Sequence, residues 1–110
     1  MAPSDRTVDT EAMARLPTSD VAAIGQRIVW TREAFNTGLS QAAFARALGV
    51  SPQTLSNCEN GLNRPSIDLA AKICQMTGVT LDWIYFGDRS SLPLRIASQL
   101  PTAEAESRHA

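Results

Sequence analysis

Gln53 and Asn57 are two carboxamides four residues apart, a spacing that places both on one face of a helix. Each can donate and accept along one edge, the pattern that pairs in a bidentate way with N6 and N7 of adenine. Thr54 and Ser56 stand between them and add hydroxyls that donate or accept. Residues suited to catalysis are scarce by contrast. The single histidine, His109, lies next to the C-terminus, and no carboxylate pair or nucleophile stands near a base, so the chain reads as a non-enzyme. Cys58 and Cys74 are 16 residues apart, each on an apolar helical face, without a second ligand pair. They read as reduced core thiols, with a redox switch at Cys58 as the sharper alternative; neither a metal nor a cofactor is expected.

The elements that must position the amides are short helices with clear ends. Ser40 caps one, Phe44, Ala45 and Leu48 give its apolar spacing, and Gly49 stops it. Ser51 caps the next with Pro52 at its first position, Leu55 and Cys58 face inward, and Asn60-Gly61 ends it. Gln53, Ser56, Asn57 and Asn60 fall on the outer side. A small residue, Ala45, is expected where the two helices cross steeply. Upstream, Ser19 or Asp20 caps a helix running to about Phe35, with Val21, Ile24, Ile28 and Phe35 as its stripe and Trp30 off the middle, only partly buried. Downstream, Ser66 caps a fourth helix with Ile67, Ala70, Ile73, Cys74 and Met76 or Thr77 toward the core, ending at Gly78. Thr80 caps a short fifth, Leu81 to Phe86.

The ordered set LSQ, Ala45, Leu48-Gly49-Val50, Leu55, the ENG at Glu59 to Gly61, RPS at Arg64 to Ser66 and GVTLDWIYFG at Gly78 to Gly87 resembles the Cro/CI or xenobiotic-response-element (XRE) family of helix-turn-helix domains. The resemblance covers roughly residues 20 to 87. It implies an all-α, five-helix, lambda-repressor-like DNA-binding domain with the helix-turn-helix at helices 2 and 3. The expected organisation is a disordered leader over 1–18, the domain over 19–87 and a C-terminal tail over 88–110, in which LPLRIASQL at 92–100 forms a brief amphipathic helix; both tails are flexible.

By that resemblance the second helix of the motif enters the major groove, with Gln53 and Asn57 reading bases and Ser56 and Thr54 in support. Gln41 matches the position from which the family bonds a DNA phosphate, and Asn60, Asn63 and Arg64 meet the backbone on the other side; Arg46 is a weaker candidate. Pro52 departs from the long polar residue common in related repressors, which removes one base contact. The loop Asn36-Thr37-Gly38 is about two residues longer than the family's connection. Allowing for that insertion, Arg32 and Glu59 match a partly buried ion pair of the family; the alternative is two exposed charges. Similar domains dimerise through the fifth helix, which makes Trp83, Ile84 and Phe86 the expected dimer interface, with core packing alone as the alternative.

The 110-residue chain has a formal net charge of −1, which disfavours strong non-specific attraction to DNA. Between residues 24 and 87 the balance turns to +1, with Arg27, Arg32, Arg46, Arg64 and Lys72 against Glu33, Glu59, Asp68 and Asp82. Affinity must then come from two paired subunits or from base contacts. No apolar run reaches membrane-spanning length and no signal peptide follows Met1, so a cytoplasmic protein is expected. The function that follows is a transcriptional regulator, a repressor binding a palindromic double-stranded operator as a homodimer. The alternative is an antitoxin that represses its own operon and holds a toxin protein through LPLRIASQL or the acidic leader.

Overall fold

The computed structural model describes residues 20–35 and 40–101. The leader, the 36–38 loop with Leu39, and the terminal segment carrying His109 lie outside the described residues. Six helices follow one another, α1 Val21–Phe35, α2 Gln41–Leu48, α3 Pro52–Glu59, α4 Ile67–Thr77, α5 Leu81–Phe86 and α6 Leu94–Ala97, with no strand among the described residues.

Local chemistry sets where these helices begin. Asp20 Oδ2 accepts from the Ala23 N–H at 3.3 Å, and the hydroxyls of Ser40, Ser51, Ser66 and Thr80 accept from backbone N–H groups three residues on, all at 3.0–3.1 Å. Each bond satisfies a donor that the first helical turn leaves without an intrahelical partner. The turn between α2 and α3 is tight because Gly49 adopts φ 78°, which an L side chain reaches only at a cost of about 1 kcal/mol.

The apolar faces of α1 to α5 close on one core. Ile24, Ile28, Phe44, Ala45, Leu55, Ala70, Ile73, Trp83 and Ile84 are completely buried in it. Such burial is the main favourable term in folding. At the crossing of α1 and α3 the backbones nearly touch: a Cβ on Gly25 would lie 2.4 Å from the Cys58 carbonyl oxygen and 2.8 Å from that of Glu59. A glycine inside α1 therefore lets the third helix dock.

Several expectations are corrected here, and Ile67 and Phe35, expected on inward faces, are exposed. Trp83 and Ile84 belong to the core and present no surface to a second subunit, because the six-residue α5 turns this side toward α1 and α4. Trp83 Nε1–H donates to Thr31 Oγ1 at 3.0 Å, Arg27 Nη1 donates to the Ile84 carbonyl at 3.1 Å, and of the three residues expected at the interface only Phe86, 56% exposed, faces outward.

A further correction concerns the C-terminal segment. Residues 88–101 form a strap on the domain, and the helix expected over 92–100 is reduced to the four residues of α6. Leu92, Ile96 and Leu100, at four-residue spacing, are buried by it. The Arg89 guanidinium stacks over the Trp83 ring at 4.9 Å and also donates to the Pro101 carbonyl, which fastens the end of the strap. Trp30 is accordingly buried instead of partly so, and it shares a cleft of about 520 Å³ with Leu100 and Pro101.

Candidate nucleic-acid interface

The third helix divides into two sides. Leu55, Cys58 and Glu59 are buried, whereas Pro52, Gln53 and Thr54 are exposed and Ser56 and Asn57 half-buried. Eight residues make just over two turns, so the inward residues fix which way the others point. After Pro52 the outer side is polar.

Its side chains are paired with one another. Gln53 Nε2 donates to Asn57 Oδ1 at 2.8 Å, and Asn60 Nδ2 donates to Ser56 Oγ at 3.2 Å. The hydroxyls of Ser51 and Thr54 lie 2.8 Å apart, so Thr54 leans back toward the cap. The amides expected to read bases thus occupy one surface, with Thr54 at its edge.

Glu59 ties this helix to its two neighbours. Its Oε2 accepts from Arg32 Nε at 2.9 Å, and its Oε1 accepts from Arg32 Nη2 at 3.0 Å and from Gln41 Nε2 at 2.8 Å. The fork geometry of a bidentate guanidinium–carboxylate pair makes this among the stronger charged contacts. The Glu59 side chain is 2% exposed and that of Arg32 15%. The Glu59 carboxylate also raises the Arg32 pKa above its ordinary value. Gln41, the first residue of α2, is therefore held by the last residue of α3.

Beyond α3 the chain presents Asn63 and Arg64, both exposed, on a loop that ends at buried Pro65. The Tyr85 hydroxyl donates to the Pro65 carbonyl at 2.8 Å and anchors the loop to α5. Burial raises the Tyr85 pKa and, with the Glu59 charge, that of the Cys58 thiol. Cys58 and Cys74 are free thiols, and no group of three potential metal ligands occurs among the described residues. The cleft beside Trp30 includes no residue of α3.

Three participants escaped the sequence: Gly25, Arg27 and the Gln41–Glu59 bond. The first had a visible signal, since a glycine in a helical apolar stripe marks a close approach or a weak point. The other two join residues 57 and 18 positions apart, and nothing local announces them.

Among the described residues, no helix is long and apolar enough to cross a membrane. Comparisons with curated proteins and with solved structures give no match. The helix-turn-helix family model matches residues 32–84, from the last turn of α1 into α5, and so covers the whole α2–turn–α3 unit. Within an all-helical, lambda-repressor-like domain, the matched residues 32–84 carry a helix-turn-helix of the Cro/CI (XRE) type, the unit of a family of DNA-binding regulators.

Proposed function

We propose that this chain is a cytoplasmic transcriptional repressor that binds a palindromic double-stranded operator as a homodimer. The observation that carries this is the outer side of α3, where Gln53, Thr54, Ser56 and Asn57 face away from a buried side fixed by Leu55, Cys58 and Glu59. Gln53 and Asn57 read base edges in the major groove, with Ser56 and Thr54 in support. Gln41 on one flank and Asn60, Asn63 and Arg64 on the other contact phosphates, which sets orientation and not sequence preference.

Pairing of two copies is supported by the charge, because a monomer of net charge −1 gains little from counterion release. A two-fold dimer doubles the base contacts and sets the recognition helices about 34 Å apart. Phe86, with its ring 6.5 Å from that of Tyr85, is an exposed aromatic available to such a contact. The antitoxin alternative gains little support from the strap, which spends Leu92, Ile96 and Leu100 on the chain's own core and leaves Leu94 as its exposed large apolar side chain.

The test is selection of binding sites from a random duplex pool at low salt, with sedimentation of the protein alongside. Enrichment of a pseudo-palindrome whose half-sites are one helical turn apart is the expected result. No enrichment would overturn the DNA-binding role, and enrichment of a single half-site by a sedimenting monomer would overturn the dimer.

A further inference from the structure

The last turn of α1 and the end of the strap do not close on each other completely. Between them lies the cleft of about 520 Å³, a volume inside the range of about 300–1,000 Å³ in which sites for small molecules fall. Its walls are chemically uneven. Trp30 and Leu100 are buried and, with Ala34 and Pro101, supply apolar surface, whereas the exposed Glu33 carboxylate on α1 and the exposed Gln99 amide on the strap supply polar groups.

The charge at the cleft has one sign. Among the described residues that line it, Glu33 alone is charged, and no hydrogen bond or salt bridge among the described residues holds its carboxylate. Two guanidinium groups are committed elsewhere. Arg32 feels the Glu33 charge at a distance but is forked onto Glu59, and Arg89 is stacked on the Trp83 ring and donates to the Pro101 carbonyl.

We propose that this cleft binds a small primary amine with a compact apolar or aromatic body. The ammonium donates to the Glu33 carboxylate and to the Gln99 side-chain carbonyl, and its third N–H stays with water. The body rests on Trp30, Leu100 and Pro101, where it gains by leaving water. A carboxylate of the same shape is turned away, because its charge would meet that of Glu33. The cleft includes no residue of α3, so the ligand leaves the candidate DNA-binding side uncovered and the site stands independently of the DNA-binding role.

Titration of the full chain with phenethylamine, read by calorimetry and by amide NMR shifts, tests the site, with hydrocinnamate as an anion of similar size and the same phenyl body. The amine should saturate in the millimolar range or tighter and shift the amides of residues 30–34 and 99–100. The anion should bind at least about five-fold more weakly, a gap that narrows as salt rises. Glu33→Gln should weaken the amine about five-fold and bring the two probes together. Gln99→Glu, which adds a second carboxylate at the cleft, should tighten the amine and weaken the anion. Both positions are exposed, so both variants should melt with the wild type.

Equal binding of amine and anion, or an amine affinity indifferent to Glu33→Gln, overturns the assignment. So do shifts confined to residues outside the cleft. Failure of the amine to saturate the full chain overturns it too, and is the result expected of a cleft that holds only water or another part of the chain.

Discussion

Trp83 Nε1–H donates to Thr31 Oγ1 at 3.0 Å, and the same hydroxyl donates to the Arg27 carbonyl at 2.7 Å, so a buried relay joins α5 to α1. The bond explains why the indole lies inside. A tryptophan whose N–H has a buried partner loses little by leaving water, whereas the ring gains from burial and from the Arg89 guanidinium stacked on it.

Thr31→Val keeps the volume and removes the acceptor. The Trp83 N–H is then stranded in the core, and the variant should lose about 1–3 kcal/mol of stability in urea unfolding. A loss near zero would mean that the relay contributes nothing.

The Arg32–Glu59 pair should respond asymmetrically. Arg32→Ala leaves the nearly inaccessible Glu59 carboxylate with only the Gln41 amide and should cost about 3–5 kcal/mol. Glu59→Ala should cost less, because the Arg32 head, at 15% side-chain exposure, can turn to water. Denaturation of both variants checks the order, and equal effects would speak against desolvation as the cause.

Gly25→Ala pushes a methyl group against the backbone carbonyls of Cys58 and Glu59, which cannot swing aside as a side chain could. The expected loss is about 1–3 kcal/mol. Since those carbonyls belong to α3, DNA affinity should fall further than unfolding alone accounts for, as measured on fully folded protein.

Alkaline stability should fall in a defined direction. Burial holds the Cys58, Cys74 and Tyr85 pKa values above their ordinary ranges, so the unfolded chain releases these protons first as pH rises. The folded state then binds more protons than the unfolded one, and stability declines with pH above the unfolded thiol value until the folded groups ionise too. Unfolding measured from about pH 7 to about pH 10 should show this decline. It should be shallower in a Cys58→Ala, Cys74→Ala double variant, and an unchanged slope would exclude the thiols as its source.

Helix ends and the two sides of α3 were legible because they are short-range. A hydroxyl three residues before the N–H it accepts, a left-handed glycine after an apolar residue and a four-residue spacing act within one or two turns. Ser40, Ser51, Ser66, Thr80 and Gly49 therefore stand where their types alone imply. The polar character of Gln53, Ser56 and Asn57 was visible for the same reason.

Tertiary structure decided whatever depends on how helices meet. Three aromatics in four residues of α5 could not all face inward, but which one did was settled by the Thr31 hydroxyl, distant in the chain, and by the strap that folds back over the ring. The 88–101 segment read as a flexible tail with a brief amphipathic helix at 92–100, because Leu92, Ile96 and Leu100 gain nothing until the core offers them a surface. Sequence alone marked the candidates for binding DNA; docking of α1, α2 and α3 around Glu59 decided how the helix that carries them is held, because a hydrogen bond between distant residues exists only once the packed helices bring its atoms within 3 Å.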